Sequence, residues 1–140
     1  MEDDKLDNLG PILSDIGREG AGIVGGDPHG LYIYAEPNGG AVFAAVFKDE
    51  GHAVRYYSPT HELFELVRDA WEAENADESM RWAVMEYEVS GTKFDVQFTY
   101  AEELDPNDYS SDRREAALQK RYGDKPVIYP PMPEDMPRRD

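Results

Sequence analysis

Two carboxylates in the second half of the chain are predicted to face each other, an arrangement that acid–base catalysis can use. Glu86 and Asp95 lie on two predicted strands that are joined by a turn at Ser90-Gly91. A two-residue loop at that turn places the two carboxylates directly opposite each other on one face of the hairpin. Facing carboxylates can share a proton in catalysis, but on an exposed sheet face they also repel each other. The pair therefore marks either a functional surface or a like-charge contact that the fold tolerates.

A second set of carboxylates lies on a predicted middle helix, for which Ser58 is the expected N-cap and Pro59 the first helical residue. Their spacing puts them on one helix face, almost opposite the apolar stripe. The members of this acidic stripe are Glu62, Glu65, Asp69 and Glu72. Between the first and the last of them Arg68 is the one basic residue, so the stripe is predicted to be strongly negative.

The sequence offers no other catalytic or metal-binding constellation. It contains no cysteine, and its three histidines do not pair at metal-ligand spacing. The glycine-rich segment 20–26 lacks the lysine that a phosphate-binding loop needs, and no serine lies in a Gly-x-Ser-x-Gly pattern. We therefore predict a protein that is not an enzyme, with no catalytic residue, metal or cofactor. A hydrolase that clusters carboxylates around a divalent metal is the weaker alternative.

The net charge indicates which classes of molecule the protein can bind. The 140 residues include 30 acidic side chains against 14 lysines and arginines, which gives a formal charge of −16. Residues 60–112 alone carry 15 acidic and 3 basic side chains. Such a field repels nucleic acids and anionic membranes and attracts basic proteins. The acidic start Met1-Glu2-Asp3-Asp4 differs from that of a signal peptide, so we expect a cytoplasmic protein.

Hydrophobic periodicity predicts an N-terminal helix and a three-stranded meander. The helix is predicted over 3–19, either kinked at Pro11 or beginning there, and a glycine-rich loop over 20–30. Strands are predicted at 31–36, 41–48 and 52–57. The first two are joined by a turn at Asn38-Gly39-Gly40. Alternation leaves open which face of these strands is buried, and an exposed tyrosine face would be a second candidate interface.

The hairpin after the middle helix has the clearest strand pattern. Its strands are predicted at 81–89 and 93–100, with Tyr87 opposite Phe94 on the buried face. The polar face then carries Trp82, Glu86, Glu88 and Asp95. Trp82 is predicted either to anchor a partner or to be covered by the last helix or the C-terminal tail.

These elements predict an α+β fold. A five-stranded antiparallel sheet, made of the meander and the hairpin, packs with N-terminal, middle and C-terminal helices. The last helix is predicted over 112–122, capped by Ser110 or Ser111 and ended by Gly123. Residues 1–123 form a single domain, and residues 124–140 form a proline-rich tail that is expected to be extended.

A series of features between Trp82 and Gly123 has a characteristic order. A Trp-led strand is followed by the strand Lys-Phe-Asp-Val-Gln-Phe-Thr-Tyr at 93–100, then by an acidic loop, and then by a helix that contains Arg113-Arg114 and Tyr122. In this order the features resemble the YezG-like family of bacterial immunity proteins. The resemblance implies a small acidic α+β domain on the antitoxin side, which binds and blocks a cognate toxin domain.

We therefore expect an immunity protein that neutralises a basic toxin, with a nuclease as the expected class. A nuclease presents a basic, phosphate-binding face, and an acidic surface can occupy that face in place of nucleic acid. The predicted partner-binding residues are Trp82, Glu86, Glu88, Asp95, Glu62, Glu65, Asp69 and Glu72. An acidic adaptor that binds proteins but has no toxin partner is the main alternative.

Overall fold

The computed structural model describes residues 2–38, 41–74, 77–105, 107 and 109–129. These residues form three α-helices and six β-strands in an α+β fold. In chain order the elements are α1 (Glu2–Ile23), β1 (Leu31–Asn38), β2 (Ala41–Asp49), β3 (Val54–Tyr57), α2 (His61–Glu74), β4 (Val84–Ser90), β5 (Lys93–Thr99), α3 (Ser110–Tyr122) and β6 (Val127–Ile128). None of the described helices combines the length and the apolar character needed to cross a membrane. Part of the predicted turn at 38–40, and the tail from residue 130 onward, lie outside the described residues.

The described strands form one mixed sheet in the order β5-β4-β1-β2-β3-β6. The predicted meander and hairpin are confirmed, and they join through the antiparallel pairing of β1 with β4. The prediction of five antiparallel strands is wrong in detail, because β6 adds a sixth strand parallel to β3 within the range assigned to the tail. The Val54 N–H donates to the Pro126 oxygen at 2.8 Å, and Lys125 Nζ lies 2.9 Å from Asp49 Oδ1. These long-range contacts hold a strand of only two residues, which is too short for a local pattern to predict.

Helices cover both faces of the sheet. Leu31 and Ile33 of β1 are buried in a cluster with residues of α1 and α2. Tyr32 and Tyr34 point to the other side and are buried in a cluster that includes Leu118 of α3. Both faces of the first strands are therefore buried, which answers the question that alternation left open. The tyrosine face is not an open interface.

α1 is longer than predicted, and one of its later glycines packs closely on the sheet. The helix runs through Pro11 and continues to Ile23, so the prediction that residues 20–23 belong to a loop is wrong. A Cβ atom on Gly20 would lie 2.7 Å from Leu31 Cδ2. Gly20 therefore allows α1 to approach β1 closely, and it does not mark a flexible loop.

α2 begins later than predicted. Thr60 caps it, because the Thr60 hydroxyl accepts a hydrogen bond from the Leu63 N–H at 3.1 Å, and the predicted N-cap at Ser58 is wrong. The predicted apolar stripe is confirmed, since Leu63 and Val67 are fully buried at one-turn spacing.

The β4–β5 hairpin has a register two residues away from the predicted one. Its loop is Gly91-Thr92, and Ser90 pairs with Lys93. Gly91 has a φ of 65°, which suits the first position of such a loop and which Ser90 would adopt only at a steric cost. A shift of two residues leaves every side chain on its predicted face but gives it a different partner.

Candidate functional site

The acidic stripe on α2 faces solvent, as predicted. All of its members are exposed, namely Glu62, Glu65, Asp69 and Glu72. Arg68 Nε lies 3.3 Å from Glu72 Oε2, and His61 Nε2 lies 3.6 Å from Glu65 Oε2. Within the described part of the chain, Glu62 and Asp69 have no ion-pair partner. Exposed pairs of this kind contribute about 0–1 kcal/mol and leave the surface negative.

The carboxylates of the β4–β5 hairpin lie on the predicted face but do not form the predicted pair. Glu88, and not Glu86, lies opposite Asp95, and Glu86 lies opposite Gln97. The predicted Glu86–Asp95 pair is therefore wrong, because the glycine-led loop moves the register by two residues. Proton sharing between these two carboxylates loses its geometric basis.

Glu86 and Glu88 are hydrogen-bonded within the protein. The Tyr32 hydroxyl donates to Glu86 Oε1 at 2.7 Å, and Arg121 Nη1 donates to Glu88 Oε2 at 2.7 Å. The bond from Arg121 lowers the pKa of Glu88. Burial, helped by the bond to Glu86, raises the pKa of Tyr32 far above its usual range. The Arg121 guanidinium also lies over the Tyr32 ring, 4.5 Å from its centroid, which adds a cation–π contact.

α3 covers the face of the sheet that carries Glu86 and Glu88. Arg113 donates to both oxygens of Glu36, from Nη2 to Oε1 at 2.7 Å and from Nε to Oε2 at 3.1 Å. The Tyr34 hydroxyl donates to Glu36 Oε2 at 2.5 Å. Glu36 is only 4% exposed, so these bonds must compensate a carboxylate that has lost most of its hydration. Arg113 thus neutralises Glu36, and Arg121 neutralises Glu88, which is one of the predicted partner-binding residues.

Sequence reasoning missed this network, although a signal for it exists. Arg113, Ala117 and Arg121 are spaced four residues apart, and they therefore share one face of α3. A helix face with arginines on either side of a small residue is complementary to an acidic strand face. That complementarity indicates docking of the helix on the sheet, which apolar periodicity alone does not detect.

Trp82 lies in the core and not on the polar face. It is 1% exposed and stacks on Phe98, with the ring centroids 5.8 Å apart. A β-bulge is the cause: Val84 pairs with Thr99, and the Ala83 N–H also donates to the Thr99 oxygen at 2.7 Å. The extra residue reverses the alternation and turns Trp82 toward the side of α1 and α2. The predicted position is wrong, and a side chain so deeply buried has no surface to offer a partner.

The predicted contact residues therefore lie on opposite sides of the sheet. The acidic stripe lies on the outer side of α2, whereas Glu86, Glu88 and Asp95 lie on the face that α3 covers. On that second face an open groove of about 790 Å³ runs beside α3. Its lining includes the carboxylates of Glu86, Glu88, Glu103, Asp105 and Asp112 and the basic side chains of Arg113, Lys120 and Arg121. One flat partner surface cannot contact both groups at once.

Among the described residues, no three histidine, aspartate or glutamate side chains lie close enough together to hold a metal ion. A scan against protein-family models and a search of curated proteins found no match to this chain. The resemblance to YezG-like proteins therefore rests on the residues quoted above.

Proposed function

We propose that this chain is an immunity protein that binds a basic toxin domain, of the nuclease class, and masks its active face with α2. The observation that carries the proposal is the acidic stripe on the outer side of that helix. Its opposite side is anchored in the core by Leu63, Val67 and Ala70, all fully buried. A row of carboxylates on an anchored helix loses little conformational freedom on binding, so it can take the place of phosphates at a basic surface.

The stripe suits this role better than the carboxylates of the hairpin. Glu88 would have to leave Arg121, and Glu86 would have to leave Tyr32, before either could pair fully with a partner. Glu62 and Asp69 can accept a basic side chain without the loss of a bond within the protein. The proposed contact is therefore Glu62, Glu65, Asp69 and Glu72.

The proposed activity is stoichiometric inhibition in the cytoplasm. It uses no cofactor, no nucleic acid and no membrane, and it involves no turnover of a substrate. An acidic adaptor would use the same surface to bind a basic protein, but it would leave the activity of that protein unchanged. Inhibition, and not binding alone, therefore separates the two functions.

The test uses the product of the neighbouring gene as the candidate toxin, because an immunity gene is expected beside the gene of its toxin. Association rates and residual toxin activity are measured for the wild type and for Glu62→Gln/Asp69→Asn. We expect slower association of the variant. We also expect wild-type association to become faster at low salt, because exposed charges are screened over about 8 Å at physiological ionic strength.

The matched control is Glu102→Gln/Glu115→Gln, which removes the same charge at exposed positions outside α2. An equal loss in both variants would assign the effect to net charge and contradict the role of the stripe. Association that does not depend on salt would contradict masking by charge. Binding without inhibition would favour the adaptor, and turnover that depends on an added metal would favour the hydrolase.

A further inference from the structure

The two edges of the sheet differ in how they are protected. At one edge β6 has only two residues and directly follows Pro126. A very short edge strand beside a proline is a common protection against pairing with another chain. At the other edge β5 has seven residues, Lys93–Thr99, and contains no proline. Within the residues that the structure describes, one edge strand is thus short and directly preceded by a proline, whereas the other edge strand is long and regular.

Every second residue of β5 directs its backbone groups away from the sheet. The Gly30 N–H donates to the Val89 oxygen at 3.0 Å, so the polar groups of Val89 point toward the β1 side and away from β5. Phe94, the partner of Val89, is therefore in a non-hydrogen-bonded position of the β4–β5 ladder. By alternation, the N–H and C=O groups of Phe94, Val96 and Phe98 lie along the free edge.

The two sides of this edge have different chemistry. Phe94, Val96 and Phe98 lie on the side of α1 and α2, where Phe94 stacks on Tyr87 and is 42% exposed. On the other side Lys93 and Asp95 are exposed, and the groove beside α3 begins at Gln97. Five carboxylates line this groove against the basic side chains of Arg113, Lys120 and Arg121, so its net charge is negative. A strand added here would place its alternate side chains next to an apolar row and next to a groove whose carboxylates outnumber its basic groups.

We infer that β5 docks an extended segment of a partner protein, in which apolar and basic residues alternate. Such a segment would gain main-chain hydrogen bonds from the free edge and specificity from the two different sides. A second copy of this chain is a poorer occupant, because its charge is also −16. The edge is separate from the acidic stripe on α2, so the inference does not depend on the proposed function.

The first test uses a short, end-capped synthetic peptide that alternates lysine and valine, added to the full-length, isotope-labelled protein. Amide hydrogen exchange of β5 is then followed by NMR. We expect slower exchange at Phe94, Val96 and Phe98, whose N–H groups lie on the free edge. We expect little change at Lys93 and Asp95, because their N–H groups already face β4. A peptide of the same composition, with its lysines and valines in separate blocks, should bind at least about tenfold more weakly.

The second test removes one outward N–H. Val96→Pro should weaken binding of the alternating peptide by about tenfold, whereas Val96→Thr, which keeps that N–H, should bind like the wild type. If Val96→Pro does not fold, Asp95→Lys is the variant to use, because it leaves the backbone N–H groups in place. Its added lysine should repel the lysines of the peptide and weaken binding by about threefold to tenfold.

Three results would overturn the inference. They are equal binding of the two peptides, protection without alternation along β5, and unchanged binding by a folded Val96→Pro variant or, where that variant does not fold, by Asp95→Lys. A wild-type dimer that becomes a monomer in Val96→Pro, measured by sedimentation, would identify a second copy as the occupant and would also overturn it.

Discussion

Loss of Arg113 should destabilise the protein far more than loss of an arginine from a surface ion pair. Glu36 is 4% exposed, and it accepts two bonds from Arg113, at 2.7 and 3.1 Å, and one from Tyr34, at 2.5 Å. In Arg113→Met the carboxylate stays buried, and of these three bonds only the one from the Tyr34 hydroxyl remains. Removal of one partner of a buried pair costs about 3–5 kcal/mol, because it leaves an uncompensated charge. We expect a loss of that size in the free energy of unfolding.

The matched control is Arg18→Met. Arg18 Nη1 lies 2.6 Å from Asp15 Oδ1, but the arginine side chain is 77% exposed, so this pair should contribute about 0–1 kcal/mol. Urea unfolding followed by circular dichroism gives the free energy of unfolding of both variants. An unchanged m-value, the slope of that free energy against urea concentration, shows that only stability differs. The double variant Glu36→Gln/Arg113→Met removes the orphaned charge as well. It should therefore recover about 0.5–3 kcal/mol relative to the sum of the two single losses.

The result that would refute this reasoning is a loss below about 1 kcal/mol in Arg113→Met, similar to that in Arg18→Met. The pair would then behave as a surface contact, and α3 would be held on the sheet by its apolar side chains alone.

Two further predictions concern helix packing and pH. Gly17→Ala should destabilise the protein by about 1–3 kcal/mol, because a Cβ there would lie 2.4 Å from the Tyr87 hydroxyl oxygen. Gly22→Ala meets nothing within 4 Å and should be neutral or stabilising by up to about 1 kcal/mol, and thermal unfolding compares the two. The hydrogen bond from Arg121 lowers the pKa of Glu88, so it stabilises the folded protein at pH values above 4.5, the ordinary pKa of a glutamate. This stabilisation is lost as the pH falls through the pKa that Glu88 has in the folded protein. The difference in unfolding free energy between wild type and Arg121→Gln, measured by urea titration at a series of pH values, should therefore shrink in acid; a difference that grows in acid would contradict the assignment.

The sequence by itself determined the elements that follow from local periodicity. The spacing of Leu63 and Val67 fixed the buried side of α2, and the same period placed the acidic stripe on the side that faces solvent. Alternation likewise assigned Tyr87 and Glu86 to opposite faces of the hairpin, and both assignments are confirmed even though the register is not. These features survive because a helix or a strand imposes its period on every residue, whatever it packs against.

Only the tertiary structure decided what covers those faces and which side chains remain free. The bulge at Ala83 turns Trp82 into the core, because one extra residue reverses all alternation before it. Arg113 and Arg121 bring α3 onto the sheet through bonds to Glu36 and Glu88, residues that are distant in the chain. The spacing of Arg113 and Arg121 marks one face of α3 in the sequence, but it does not identify the remote residues that this face contacts. Those contacts become visible only when the folded chain brings the two surfaces together. For that reason the acidic stripe on α2 could be read from the sequence, while the neutralised face under α3 could not.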